Sequence, residues 1–461
     1  MVRRLVPVLP MALAVAVVAG AQTNNPAGPP VSKSDYALTN VRIVTAPGKV
    51  IERGTVVFVD GRITAVGANV PIPAGVVRMD LAGHTVFPGL IDAATSVGLP
   101  NPMRPLPTTA DATAAPAGGR GGRGGAAAGQ PLGRAGSSPA APVVLPEVEA
   151  DAEAADLFQP SEAELKAMRA GGVTTVGLVF NGGIFPGRVG AALTGSRGGT
   201  RLALRTAAAQ DVAFGQKRGG VYPATGIGSV AFIRQAYLDA QYEARLDKAM
   251  KAGIPGARPT NDPFARALVP AATNAMPSWF VASDERSMVR VADIATEMEL
   301  KNPVVVGAQE GWRAIPALKR MGATAVVSLN YPSPDAVTGR TFLAIGLGKS
   351  GTAPPLTAAD TNEVRANAAA LLKAGVPVAL ASFGSTGADF RERIRQAIAA
   401  GLGADDALKA ATVTPAALLG VTSAVGTIEV GKLANVVVVS GNDLFAAGTP
   451  IKHVFVEGRL Y

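Results

Sequence analysis

The middle of the chain alternates short apolar segments with helical segments, and this alternation most constrains the fold. Buried strands are predicted for VFPGLIDA, GVTTVGLVF, PSWFVAS, NPVVVGA, ATAVVSL and GVPVALAS. Helices are predicted over residues 161–170, 228–251, 285–300, 311–321, 361–374 and 389–400. This order is typical of βα units around a parallel sheet. If residues 187–206 hold the remaining strands, the length of this middle region suits an eight-stranded (β/α)8 barrel of the TIM type. A doubly wound open sheet is the alternative, because sequence does not reveal strand order.

The two ends of the chain predict a smaller domain built from strands. LTNVRIVTAPG and TVVFVDGRITAVG alternate apolar and polar residues, and Asp60-Gly61 favours a type I′ hairpin turn. GTIEVGKLANVVVVSGN and PIKHVFVEGRLY are similar segments at the other end. We therefore expect a β-sandwich formed by residues 34–86 and 422–461, with a barrel at 87–421 inserted between them.

The N-terminal stretch MVRRLVPVLPMALAVAVVAGAQ has a basic start, an apolar run and an A-x-A site. This pattern predicts a signal peptide at residues 1–21 and a protein exported to the periplasm or beyond. A membrane anchor is the alternative, although the run is short and contains prolines. After cleavage no membrane span is expected. The chain has no cysteine, which excludes disulfides, thiolate nucleophiles and cysteine-ligated metals.

Residues 100–146 differ from the rest of the chain, since Gly, Ala, Pro and Ser dominate and include GGRGGRGGAAAG. We expect a flexible insert at the end of the first barrel strand, where active-site loops arise. The net charge of +9 does not indicate nucleic-acid binding, because five of those charges lie in the signal segment and this insert. The five charges are those of Arg3, Arg4, Arg104, Arg120, Arg123 and Arg134 less the negative charge of Asp111.

AGHTVFPGLIDAATSVGL resembles the first-strand motif of the amidohydrolase superfamily, in which P-G-L-I-D precedes x-H-x-H. LKAMRAGGVTTV, GVPVALAS, AGLGADDALKAATVTPAALLGV and GTIEVGKLANVVVVSG match further segments in the right order, and the imidazolonepropionase-like branch is the most similar. The resemblance implies a barrel carrying a small β-sandwich. It also implies one or two divalent metals, commonly zinc, that activate water to hydrolyse C–N bonds.

The resemblance places metal ligands on the first, fifth, sixth and eighth barrel strands, and in some members a carboxylated Lys or a Glu on the fourth. Those positions, apart from the fourth, which could not be aligned, are occupied by Ala94, Ser96, Val281, Gly307 and Phe383. The two histidines of the chain, His84 and His453, fall elsewhere. We therefore expect no family-type zinc site and no cofactor.

Carboxylates near predicted strand ends offer a different chemistry. They are Asp92, Asp284, Glu285, Glu310 and Asp335. Asp92 and Glu310 are the catalytic candidates, either as ligands of Mg²⁺ or Ca²⁺ or as paired acids. The structural alternative gives Asp92 a hydrogen-bonding role and places the others at helix starts. Serine catalysis lacks a histidine base, and no G-x-x-x-x-G-K-[ST] or strand-linked G-x-G-x-x-G motif indicates a phosphate-binding loop.

The leading hypothesis is a metal-deficient homologue that acts as a binding or partner subunit. A rim formed by Trp279, Asp284, Glu285, Trp312, Asn330 and Tyr331 is expected to hold a small molecule or another chain. The partner is a second copy or an intact amidohydrolase homologue. The alternative is an active hydrolase of cyclic amides or small peptides with a rebuilt oxygen-ligand site.

Overall fold

The computed structural model describes residues 35–99, 149–195, 202–215, 222–258, 260, 262–331 and 358–461. The predicted signal peptide, the predicted insert at 100–146 and Asp335 lie outside these residues. Within them, no helix combines the length and apolar character needed to cross a membrane.

Strands and helices alternate through the central part of the chain. The strands are β1 (Tyr36–Ala46), β2 (Lys49–Val59), β3 (Arg62–Gly67), β4 (Val77–Asp80), β5 (His84–Pro88), β6 (Leu90–Thr95), β7 (Val173–Leu178), β8 (Gly187–Leu193), β9 (Ala203–Ala213), β10 (Ser278–Ala282), β11 (Val304–Gly307), β12 (Thr324–Ser328), β13 (Val378–Ala381), β14 (Val436–Ser440), β15 (Ile451–Val456) and β16 (Arg459–Leu460). The helices are α1 (Glu162–Ala170), α2 (Gly226–Lys251), α3 (Pro263–Ala272), α4 (Glu285–Glu297), α5 (Ile315–Arg320), α6 (Ala358–Lys373), α7 (Phe390–Ala399), α8 (Ala404–Ala410) and α9 (Val413–Leu418).

The first sheet joins the two ends of the chain. Its order is β16-β15-β14-β5-β1-β2-β3, and β4 pairs with β1. Asp60 and Gly61, between β2 and β3, have φ angles of 52° and 78°, as a type I′ turn requires. Where a two-sheet sandwich was expected, one hydrogen-bonded sheet curves on itself. The rings of Phe58 on β2 and Phe455 on β15 lie 5.1 Å apart across the enclosed core.

The segment VFPGLIDA, predicted as one strand, belongs to two sheets. The chain leaves β5 in the first sheet, turns at Gly89 and enters β6 in the second. A Cβ atom at Gly89 would lie 2.2 Å from Thr174 Oγ1, so the close approach of the two segments requires glycine. Hydrophobicity does not reveal the division because β5 and β6 are both buried.

The second sheet is a nearly closed barrel in the order β6-β7-β8-β9-β10-β11-β12-β13. The six predicted barrel segments all contain strands of this sheet, and β8 and the start of β9 lie within residues 187–206. β8 runs antiparallel to both neighbours, so the expectation of eight parallel strands is wrong there. Its connections, residues 179–186 and 194–202, are too short for a helical crossover, which takes a dozen residues or more.

Apolar side chains fill the barrel inside and outside. The interior cluster consists mainly of Ala and Val and includes Trp279 and Phe383, while a larger cluster lies between strands and helices. Each predicted helical segment contains a helix, and Ser161 caps α1 through a capping box with Glu164. α3, capped by Asp262, was not predicted.

Candidate active site at the barrel mouth

Ligands of such barrels bind at the carboxyl ends of the parallel strands, the face called here the barrel mouth. The positions that align with the metal ligands of the amidohydrolase superfamily lie at this face. Ala94 lies near the end of β6 and Ser96 follows it, Val281 and Gly307 lie near the ends of β10 and β11, and Phe383 follows β13. Ala94, Val281 and Phe383 are 0 %, 7 % and 3 % exposed and belong to the interior apolar cluster.

This set of side chains does not fit the metal of the amidohydrolases. Apart from the Ser96 hydroxyl, these five positions offer no side-chain donor, whereas a zinc site needs at least three N, S or O ligands. Across the described ranges, no three His, Asp or Glu residues are grouped so that they could hold a metal ion. His84 and His453 lie on β5 and β15 of the first sheet, away from the barrel. Burial, and to a lesser degree His84 and Lys452, lowers the pKa of His453.

Asp92 is buried, and Ser382 holds its carboxylate. The Ser382 N–H donates to Oδ1 at 2.8 Å, the Ser382 hydroxyl donates to Oδ2, and the Ala94 N–H donates to Oδ1 at 3.3 Å. Burial raises the pKa of Asp92 to about 7, and the Ser382 hydrogen bonds oppose the rise. No backbone ladder joins β6 to β13 in the described chain. Asp92 therefore bridges the seam between the first and last strands of the barrel.

Glu310 is engaged in a different contact. Its Oε2 accepts a hydrogen bond from the Glu285 N–H at 3.0 Å, and Asp284 caps α4 by accepting from Ser287 N at 3.0 Å. Asp284 and Glu310 lie in the loops after β10 and β11, and Glu285 is the first residue of α4. No hydrogen bond or ion pair in the described part of the chain joins Asp92 to Glu310, and each carboxylate binds backbone N–H groups of its own surroundings.

The predicted rim residues are in three different environments. Trp279 lies inside the barrel rather than at its rim, because the alternation of β10 turns it inward, and it is 0 % exposed. Trp312 and Tyr331 pack against the cluster between strands and helices, and burial raises the pKa of Tyr331. Asn330 is half-buried, as is Asp284, whereas Glu285 is exposed.

An uncharged polar network at the barrel mouth was missed. The Ser328 hydroxyl donates to the Phe383 carbonyl at 2.6 Å, and Asn330 Nδ2 donates to the Gly384 carbonyl at 2.9 Å. The Gln309 amide donates to the Asn330 carbonyl at 3.3 Å. The network thus joins the ends of β11, β12 and β13. Polar residues that directly follow apolar strand segments were the available signal.

Asp211 was also missed, and it lies on the strand that could not be aligned. β9 is the fourth strand from β6, and Asp211 is its only acid. The carboxyl group is 0 % exposed, and its Oδ2 accepts from Phe180 N at 2.9 Å. Burial raises the pKa of Asp211 to about 8, although hydrogen bonds from the backbone N–H groups of Phe180 and Val212 lower it in part. An acid and an amide within the apolar run TAAAQDVAF were the signal.

Comparison with known proteins agrees with this architecture. Residues 352–461 match the model of the amidohydrolase family. No curated protein matches the sequence. The fold is similar to that of an amidohydrolase from Thermotoga maritima MSB8, with a TM-score of 0.67, 21 % identity, and coverage of 92 % of this chain and 99 % of that one.

Two further solved structures are similar over comparable lengths. A prolidase complexed with N-methylphosphonate-L-proline has a TM-score of 0.53 and 19 % identity, covering 93 % of this chain and 99 % of its own. A Xaa-Pro dipeptidase with bound methionine has a TM-score of 0.51 and 15 % identity, covering 93 % and 100 %. The chain therefore has the barrel-and-sheet fold of solved amidohydrolases, and its C-terminal part, residues 352–461, matches the amidohydrolase family.

Proposed function

We propose that this protein is an exported, amidohydrolase-like binding or partner protein that lacks the metal chemistry of its relatives. One observation carries the proposal. The positions of the metal ligands hold Ala94, Ser96, Val281, Gly307 and Phe383, and three of these side chains pack into the apolar interior. A barrel mouth of this kind offers surfaces for recognition rather than donors for a metal.

The polar network at the mouth supports binding of an uncharged ligand. Asn330 is the half-buried member of this network, and its amide group suits amides, small peptides or the backbone of another chain. Gln309 and Ser328 are buried, and their hydrogen bonds hold the strand ends behind it. The partner proposed is a second copy or, preferably, an intact amidohydrolase homologue of the imidazolonepropionase-like branch. In the second case this chain would act on the activity or stability of the catalytic subunit.

The alternative is a hydrolase of C–N bonds in cyclic amides or small peptides that uses carboxylate ligands. The family match at residues 352–461 favours a hydrolase ancestry. The hydrogen bonds of Asp92 to Ser382 and of Glu310 to Glu285 weigh against it, because each carboxylate is already engaged. Ligation of a metal would have to break those contacts.

A metal analysis combined with a hydrolysis screen separates the two functions. The mature protein, beginning at Gln22, would be equilibrated with Zn²⁺, Mn²⁺ or Mg²⁺ and dialysed. Its metal content and its turnover of Xaa-Pro dipeptides and cyclic amides would then be measured. We expect no stoichiometric metal and no turnover above buffer. Stoichiometric metal and turnover that are both lost in Asp92→Ala or Glu310→Ala would establish the hydrolase instead.

The partner role and the export have their own tests. Co-purification and size-exclusion chromatography with an amidohydrolase homologue from the same organism should show a complex or a change in the homologue's activity. Homologues that neither bind nor respond would rule out that form of the proposal. N-terminal sequencing of protein recovered outside the cytoplasm should begin at Gln22, whereas an intact Met1 would contradict cleavage.

A further inference from the structure

Seven buried side-chain atoms of the described residues have no hydrogen-bond partner, and two of them lie at one level of neighbouring barrel strands. These two are Asp211 Oδ1 on β9 and Trp279 Nε1 on β10. The two residues are direct partners in the parallel pairing of these strands. Both side chains are 0 % exposed. Such orphaned atoms are rare in folded proteins, and two of them at one level of a barrel call for a common explanation.

Both side chains belong to the inner face of the barrel. Ala209 and Ala213, two positions before and after Asp211, lie in the interior cluster, as do Trp279 itself and Val281. Because side chains of a strand alternate between its faces, Asp211 is directed to the same side as Ala209 and Ala213. The carboxyl group and the indole ring thus belong to one level of the barrel interior.

The surroundings of this pair are small and apolar. The interior cluster consists almost entirely of Ala and Val, with Trp279 and Phe383 as its only aromatic residues. The Ala and Val side chains of this cluster carry no polar atoms. They offer neither a donor for Oδ1 nor an acceptor for the indole N–H.

Charged side chains on the neighbouring elements are occupied elsewhere. Arg188 on β8 faces Glu153, Arg266 on α3 faces Glu243 of α2, and Arg205 on β9 donates to the Gly420 carbonyl. The shift in the pKa of Asp211 accordingly comes from burial and from backbone N–H groups, and no charged side chain contributes to it.

A single water molecule has the chemistry that both atoms require. Its oxygen can accept from an indole N–H while one of its hydrogens is donated to a carboxylate oxygen. Buried waters typically bind polar groups that lack protein partners. We propose that the barrel interior holds an ordered water between Asp211 Oδ1 and Trp279 Nε1, so that the indole reports the protonation of Asp211.

The chain offers a clean spectroscopic test because it contains two tryptophans, Trp279 and Trp312. In Trp312→Phe protein, the emission spectrum and the indole ¹H–¹⁵N signal report Trp279 alone. Both should change with pH around one midpoint, near the pKa of about 8 that burial produces for Asp211. The indole N–H should also show magnetization transfer from a bound water.

Two matched variants assign the transition. Adding Asp211→Asn to Trp312→Phe should abolish it, since the amide does not titrate and keeps the shape of the carboxyl group. Adding Asp92→Asn should leave it in place, which separates the two buried acids of the barrel. A crystal structure of the Trp312→Phe protein should show density for one water within hydrogen-bond distance of both atoms.

Three results would overturn the proposal. They are an indole signal that does not change with pH, a transition that persists in the Asp211→Asn background, and an interior without density between the two atoms. If the Asp211→Asn protein does not fold, the water-to-indole transfer and the crystal density in Trp312→Phe protein decide the question alone.

Discussion

Ser382 donates two hydrogen bonds to Asp92, one from its N–H at 2.8 Å and one from its hydroxyl group, and both groups are buried. The contact spans the seam between β13 and β6, the one place where the barrel lacks a backbone ladder among the described residues. An acid that follows a Pro-Gly-Leu-Ile motif thus serves closure of the barrel.

The first prediction concerns this seam. Ser382→Ala removes one of the two donors and leaves Asp92 Oδ2 buried without it, so the free energy of unfolding should fall by about 1–3 kcal/mol. Urea unfolding followed by circular dichroism measures the loss. Ser385→Ala is the control, because the half-buried Ser385 hydroxyl donates to the Ser382 carbonyl and makes no hydrogen bond with Asp92 among the described residues. Equal losses in the two variants would contradict a special role for the seam.

The second prediction concerns pH. The pKa values of Asp92 and Asp211 are raised from 3.8 to about 7 and about 8 in the folded state. Between pH 3.8 and the raised pKa of each acid, the folded protein binds more protons than the unfolded chain. The free energy of unfolding therefore falls as pH rises through this interval. The slope is at most about 1.4 kcal/mol per pH unit for each group, and it disappears above the folded pKa values.

Urea unfolding at intervals between acidic and mildly alkaline pH tests this dependence. Asp92→Asn and Asp211→Asn should each flatten the profile and raise stability relative to the parent protein at alkaline pH. The Asn side chain keeps the shape of each acid without its charge. A parent profile that rises across this interval, or variants that leave it unchanged, would refute the prediction.

The third prediction compares the two tryptophans. Trp279→Ala empties part of the barrel interior and should lower the free energy of unfolding by about 3–5 kcal/mol. Trp312→Ala should cost clearly less, since Trp312 is half-buried and lies outside the barrel. Chemical denaturation of both variants gives the comparison. A larger loss for Trp312→Ala would show that the interior is less tightly packed than described.

The fourth prediction concerns the passage between the two sheets. Gly89→Ala places a methyl group 2.2 Å from Thr174 Oγ1, and relief of the clash should cost about 1–3 kcal/mol. Gly67→Ala, whose Cβ would lie 3.3 Å from a Val70 methyl group, is the milder control. Thermal unfolding ranks the variants. Combining Thr174→Ala with Gly89→Ala should recover part of the loss, and the absence of any recovery would assign the cost to the backbone.

Local pattern predicted the elements of this fold better than their arrangement. The six apolar segments of the barrel are strands, because each is a short run bounded by turn residues. The direction of β8 was not predicted, since it depends on which strands pair. For the same reason VFPGLIDA was read as one strand, although Gly89 divides it between two sheets.

The candidate site shows the same limit. The proposed loss of metal ligands rests on residue identity at aligned positions. The hydrogen bonds of Asp92 across the seam agree with the structural alternative considered for it. Trp279 was placed at the rim because an aromatic residue near a strand end suggests a ligand surface. Its orientation depends on the pairing of β10 with β9. Asp211 escaped notice because the fourth strand had no recognisable motif.

The first sheet pairs β5, which ends at Pro88, with β14, which begins at Val436. The sheet that contains β1 to β5 can therefore be completed only after almost the whole chain has been synthesised. Until β14 and β15 arrive, one edge of β5 is unpaired and apolar. A chain with this order keeps its first sheet open, and the core of that sheet incomplete, until its C-terminal strands are available.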